Sequence, residues 1–209
     1  MSLAADFSRA VGGRIAHVTA HSNLHGIEQN GLRSAADLAR QAGVAPDSIA
    51  LRTARLRVGS AVLTHQRPIA QHLNAAGEML EGHDAQSWAA QLDQRVFFWP
   101  QHRGPAFARS VKRDLPTTTI WLDAHSFARE FGDFIDLCAI NSGNFSQGGA
   151  RVPRGDWIYR PLSEGLDSFH NFRTSQGLTK SKDRVGEISL RCALPTASLK
   201  ALRVPPSKP

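Results

Sequence analysis

The stretch RIAHVTAHSNLHGIEQNGL, residues 14–32, decides how the fold begins, because a short strand leads directly into a capped helix. RIAHVT, residues 14–19, contains β-branched residues and predicts the strand. Ser22 is a typical N-cap for a helix over roughly 23–30, and Gly31 is a typical residue for its end. Working outward, we expect a second helix at about 34–42.

Three histidines fall in this stretch at four-residue spacing: His17, His21 and His25. The spacing imitates a metal-binding helix face, but His17 ends the predicted strand, His21 lies in the turn and only His25 lies in the helix. No nearby carboxylate or thiol completes a set of ligands. We therefore predict no metal site, and we expect His17, at its strand end, to line a cleft.

The rest of the chain mixes short helices with short, interrupted strands, which predicts an α+β fold and not a doubly wound parallel sheet. We expect a single domain over residues 1–204, followed by a disordered tail over 205–209. The remaining predicted elements are a strand or hairpin at 52–64, two helices within 68–94, strands at 95–99, 117–124, 134–140, 157–162 and 185–194, helices at 104–113 and 124–132, a Gly-rich loop at 141–155, a long polar connection at 163–184 and a last helix near Pro195.

Composition and charge limit the classes of function. Among 209 residues, 41% are hydrophobic and 21% charged, as in ordinary globular proteins. No apolar run reaches the roughly 18 residues of a membrane span, and no secretory leader is visible, so we expect a cytoplasmic protein. Cys138 and Cys192 lie in apolar runs and are expected to be buried free thiols. The net charge of +7 favours an anionic partner such as nucleic acid.

One carboxylate stands inside an apolar strand, in the segment RVGEISL at residues 184–190. Burying an ionised carboxylate without partners is costly, so Glu187 is expected to face inward or into a cleft. The alternative is an outward-facing strand residue, against which Val185 on the same strand face argues mildly.

Three motifs in order resemble the ADP-ribosyltransferase superfamily, in the diphtheria-toxin-like branch that includes the poly(ADP-ribose) polymerases and the DarT-type DNA ADP-ribosyltransferases. The resemblance implies a split, mixed or antiparallel β-sheet core with peripheral helices. The motifs are His17-Val-Thr19 followed by Asn23, Ile27 and Gly31-Leu32, then RVFFW at 95–99 followed by a helix carrying Phe107, and last the strand carrying Glu187.

The resemblance implies an enzyme that transfers single ADP-ribose units from NAD and releases nicotinamide, as in a toxin or phage-defence effector, for which an antitoxin or immunity protein would be a partner. It implies catalytic roles for Glu187 and His17, with no metal. Arg67, Arg103 and Arg154 are candidates for the pyrophosphate. The NAD-binding residues that it implies are His17, Thr19, Asn23, Phe97 and Phe107.

The connection before Glu187 carries basic residues after two phenylalanines, a combination that suits single-stranded DNA or RNA. We therefore predict nucleic acid as the target, while a protein or a small molecule stays open as the acceptor, and so does the oligomeric state. The predicted target-binding residues are Arg173, Lys180, Lys182 and Arg184.

Two positions depart from the family pattern. Val18 stands where the polymerase branch has glycine, and Phe97 lacks the hydroxyl of the frequent tyrosine. Two alternatives therefore stay open. One is an NAD-using enzyme like the RNA 2′-phosphotransferases, although their dense set of Arg and His residues is not seen. The other is a catalytically degenerate module that binds nucleic acid or a nucleotide.

Overall fold

The computed structural model describes residues 2–70, 79–112, 115–145, 152–178 and 184–205. Its strands are β1 (Arg14–Ala20), β2 (Leu56–Val58), β3 (Ala61–Leu63), β4 (Val96–Pro100), β5 (Thr117–Asp123), β6 (Ile135–Cys138), β7 (Tyr159–Pro161) and β8 (Glu187–Leu190). Its α-helices are α1 (Leu3–Val11), α2 (Leu24–Asn30), α3 (Ala35–Gln41), α4 (Pro46–Ile49), α5 (Arg67–Ala70), α6 (Ala85–Asp93), α7 (Gly104–Lys112), α8 (Ala124–Phe131), α9 (Leu166–Ser175) and α10 (Thr196–Leu202).

Six strands form one sheet in the order β5-β1-β4-β8-β6-β7, and β2 and β3 form a separate hairpin. Every pair of neighbouring strands in the sheet is antiparallel. The structure thus confirms the predicted α+β class, with an antiparallel sheet as its core and helices around it.

Strand register determines which side chains share a face of this sheet. Phe97 pairs with Ser189, and Cys138 pairs with Glu187. Paired residues lie on the same face and side chains alternate along a strand, so these four side chains share one face, here called the carboxylate face. Phe98 lies on the opposite face, here called the core face, and is fully buried there.

Helices cover both faces. Phe7 of α1 and Phe127 of α8 are fully buried in the hydrophobic cluster of the core face. On the carboxylate face, Trp88 of α6 is fully buried in a second cluster. Helix α7 approaches the same face so closely that a Cβ on Gly104 would lie 2.6 Å from the Cβ of Ala16. Glycine at this position therefore allows α7 to begin against β1.

Most predicted elements form near their expected bounds, but three regions differ. The polar connection predicted over 163–184 is wrong, because residues Leu166–Ser175 form α9 and bury Leu166, Phe169 and Arg173 along one stripe. Helix α1 was not predicted at all, although the side chain of Ser2 caps it. The strand expected at 157–162 begins only at Tyr159, after a 3-10 turn.

The C-terminal residues 204–205 are tied to the edge strand β5 and to β1. The amide of Val204 donates to the carbonyl of Trp121 at 2.9 Å, and Arg14 donates to the carbonyl of Pro205 at 2.8 Å. The rest of the predicted tail, residues 206–209, lies outside the described residues. Cys138 is buried and Cys192 is half-buried, and both are free thiols. Within the described ranges, no helix has the length and apolar character that crossing a membrane requires.

Candidate functional site

Glu187 is the first residue of β8 and lies in the middle of the sheet, with 2% of its surface exposed. Its Oε1 accepts a hydrogen bond from the backbone amide of Ser142 at 2.8 Å. Burial raises the pKa of Glu187, while the hydrogen bond from Ser142 and the charges of Arg103 and Arg154 act in the opposite direction. This buried, partly compensated carboxylate is the kind of group that catalytic sites use.

Positive charge collects at the same end of the sheet. If the pairing of β4 with β8 is continued past Phe98 and Ile188, the turn at 101–103 comes to lie beside Arg184. Burial lowers the pKa of Arg103, and the nearby charge of Arg184 lowers it further. In the described part of the chain, neither arginine side chain forms a hydrogen bond or ion pair, so both can bind an anion. The half-buried Arg103 and the exposed Arg184 are here called the arginine pair.

Aromatic side chains line the carboxylate face beside Glu187. The rings of Phe107 and Trp99 are stacked, with centroids 3.6 Å apart and planes 14° apart. Phe97 is half-buried against the cluster that contains Trp88. The structure thus brings Phe97 and Phe107, the predicted aromatic residues of the second motif, to the face that carries Glu187.

His17 lies elsewhere. Its ring is 5.6 Å from that of Phe98, on the core face, and its Nδ1 lies 2.9 Å from the carbonyl oxygen of Phe97. Burial lowers the pKa of His17, which favours the neutral ring with the Nδ1 proton donated to that carbonyl. The two predicted catalytic side chains therefore lie on opposite faces of the sheet.

Thr19 and Asn23 of the first motif bind structural partners. The Asn23 side chain donates to the carbonyl of Val62 at 2.9 Å and accepts from the amide of Val62 at 2.8 Å. It also donates to the hydroxyl of Thr19 at 3.2 Å. These bonds hold the β2–β3 hairpin against the end of β1, so the structure gives Asn23 a scaffolding role.

The predicted target-binding residues Arg173 and Arg184 lie close together but differ in exposure, since burial lowers the pKa of Arg173 and the nearby charges of Arg184 and Arg103 lower it further. Arg173 is buried, and its guanidinium donates to the carbonyls of Ala139 and Leu178, so it binds the backbone and offers no surface contact to a target. Arg184 is exposed beside Arg103. Residues 180 and 182, the predicted target lysines, lie outside the described residues. Arg67 donates to the carbonyl of Thr53 at 2.8 Å and is not among the charges that act on Glu187.

Sequence reasoning missed Ser142 as a partner of Glu187. A backbone amide donor has no residue-type signature, and only the Gly-rich loop marked this region. Among the residues that the structure describes, no group of three or more His, Cys, Asp or Glu side chains could hold a metal ion.

Comparison with known proteins gives a family without a described activity. No curated protein and no solved structure matches the chain. A protein-family model described as a family of unknown function, DUF7002, matches residues 13–200, which is most of the chain. The chain therefore belongs to the DUF7002 family.

Proposed function

We propose that the protein is an NAD-dependent mono-ADP-ribosyltransferase that modifies nucleic acid, with Glu187 as its catalytic carboxylate. The observation that carries the proposal is the setting of Glu187, which is 2% exposed, central in the sheet, bonded to the Ser142 amide and close to the charges of Arg103 and Arg154. A purely structural carboxylate in this position would be costly, because its charge is removed from water.

The chemistry needs one such carboxylate. When the bond between ribose C1′ and the nicotinamide nitrogen breaks, its electron pair leaves with nicotinamide and the ribose becomes cation-like. A carboxylate beside the ribose stabilises that positive charge. It can also accept the proton that the acceptor atom loses as it bonds to C1′, and the raised pKa of Glu187 makes it a stronger base for this step.

Other side chains near Glu187 have the chemistry to bind NAD, the ADP-ribose donor, and the nucleic-acid target. Arg103, without a side-chain partner among the described residues, can bind a pyrophosphate through paired hydrogen bonds. The stacked rings of Phe107 and Trp99 offer an aromatic surface for a flat ring. The exposed Arg184 suits a phosphate of the target strand. His17 acts in this proposal through its bond to Phe97, which positions β4.

The test is release of nicotinamide from NAD by the purified protein, alone and with single-stranded DNA or RNA. Glu187→Gln should lower release by at least about a hundredfold. Glu164→Gln is the matched control, because Glu164 pairs with Arg160 on the surface and its loss should leave release unchanged. Absence of release under every condition, with the wild-type protein folded, would reject the proposal.

The placement of His17 favours a second candidate. A catalytic pair divided between two faces would be expected in a degenerate module that binds nucleic acid or a nucleotide through the arginine pair. Such a module would bind single-stranded DNA or RNA with a salt-dependent affinity. It would bind equally well after Glu187→Gln and would release no nicotinamide.

A further inference from the structure

The side chain of Arg154 is fully buried, which is unusual for a charged residue. Its Nε donates to the carbonyl of Asn141 at 3.0 Å, and one terminal nitrogen donates to the carbonyl of Asn144 at 2.6 Å. The guanidinium carbon lies 4.3 Å from the ring centroid of Phe145. Burial lowers the pKa of Arg154 to about 10, so the side chain still carries its charge at neutral pH. These two hydrogen bonds and the ring contact reach one short segment, residues 141–145, here called the cap segment, while the other terminal nitrogen donates to the carbonyl of Val152 at 3.1 Å.

The cap segment supplies the hydrogen bond to Glu187. Within it, the Asn141 side chain accepts from the amides of Gly143 and Asn144 at 3.1 and 2.7 Å, which closes a tight turn. The carbonyl of Ser142 accepts from the indole nitrogen of Trp88 at 3.1 Å. The peptides that follow the Ser142 amide are thereby held by a side chain within the turn and by one on α6, while the carbonyl of the peptide that bonds to Glu187 is the Asn141 carbonyl, which accepts from Arg154.

We propose that Arg154 is a positioning residue for Glu187, which holds the cap segment by its carbonyls so that the Ser142 amide stays against the carboxylate. This inference rests on the proposed catalytic role of Glu187. A guanidinium is suited to the task because its donors lie in one rigid plane and bind acceptors on several sides at once. Lysine carries the same charge on a single nitrogen and does not reproduce that arrangement.

The groups around the carboxylate determine what loosening the cap segment would do. The hydroxyl and the amide of Ser142 favour the ionised form of Glu187, and so do the charges of Arg103 and Arg154. Cys138 and Tyr159 also face it, and burial raises the pKa of both, so they are neutral near pH 7. Loss of the Ser142 hydrogen bond would therefore favour the protonated carboxyl, and the pKa of Glu187 would rise.

The test follows the titration of Glu187 without NAD, by carbon NMR of protein labelled at its glutamate carboxyl carbons. The chain has six glutamates, and Glu187→Gln assigns the signal by removing it. Arg154→Lys should raise the titration midpoint of Glu187 by about one pH unit, the loss of a charge-assisted hydrogen bond. Arg173→Lys is the matched control, because Arg173 is also buried and also binds backbone carbonyls, but outside the cap segment.

An unmoved midpoint in folded Arg154→Lys, or an equal shift in Arg173→Lys, would overturn the inference. If Arg154→Lys does not fold, Phe145→Leu removes the ring beneath the guanidinium and should raise the midpoint by about half a unit; an unmoved midpoint there would also overturn it. In an active enzyme, the pH profile of nicotinamide release should move by the same amount as the midpoint. A shifted midpoint in a protein that releases no nicotinamide would support the positioning role and reject only the transferase.

Discussion

Replacing Glu187 by glutamine should make the protein more stable at neutral pH and not at acidic pH. The ordinary pKa of the carboxyl is 4.5, and burial raises it in the folded protein. Between these two values the folded protein keeps a proton that the unfolded chain releases. The wild-type free energy of unfolding therefore falls by up to about 1.4 kcal/mol for each pH unit in this interval. Glutamine has the same shape and can still accept from the Ser142 amide, but it does not titrate.

Urea unfolding of both proteins from pH 4 to pH 8 measures this difference. The unfolding midpoint of Glu187→Gln should move above that of the wild type as pH rises past 4.5, by roughly 0.7 M urea per pH unit for an m value near 2 kcal/mol/M. The difference should level off once the folded carboxyl is ionised. A difference that is constant from pH 4 to pH 8 would show that Glu187 is not a buried titrating group, and the reasoning on its setting would fail.

Two further predictions concern Gly31 and His17. Gly31 has a φ of +76°, and a Cβ there would lie 2.2 Å from the carbonyl oxygen of Leu194, so Gly31→Ala should lower the free energy of unfolding by about 2 kcal/mol or more. Gly82 has a φ of +74° but open space around it, so Gly82→Ala should lower the free energy of unfolding by only about 1 kcal/mol. Equal shifts in melting temperature for the two variants would contradict the argument. Because burial lowers the pKa of His17, the unfolded chain binds a proton below pH 6.5 that the folded protein excludes, so stability falls on acidification. In His17→Gln, the melting temperature should therefore fall less between pH 6.5 and pH 5 than it does in the wild type. A melting temperature that depends on pH as strongly as in the wild type would refute this prediction.

The fold was predictable where one local signal dominated. Gly31 and the β-branched residues of β1 correctly indicated a strand followed by a helix, but the predicted cap is wrong, because Ser22 lies within a 3-10 turn over His21–Asn23 and α2 begins only at Leu24. Helix α9 was missed because Arg173 occupies a buried position of its apolar stripe, and a polar residue there makes the segment look like a solvated connection. Helix α1 did carry readable signals, since Ser2 caps it and Gly12 ends it in the left-handed conformation.

The candidate site was predictable in part for a different physical reason. A carboxylate within an apolar strand can be recognised from the sequence as a candidate site residue, because its burial needs compensating partners. Glu187 is buried as expected. The sequence carries no comparable information about the register between β1, β4 and β8. A register shift of one residue moves every side chain to the other face, so the motifs alone could not place His17 relative to Glu187.

The division of the motifs between two faces indicates where a donor would have to bind. His17 and Thr19 alternate with Ala16 and Val18 along β1, and Ala16 pairs with Trp99 on the carboxylate face. Val18 therefore lies on that face, and it is the residue that stands at the glycine position in the proposed resemblance to the polymerase branch. A ligand that reaches Glu187 from this side meets the Val18 side chain and the arginine pair, not the imidazole of His17. If the protein cleaves NAD, the first motif contributes backbone and packing, while binding and chemistry depend on Arg103, Phe107 and Glu187.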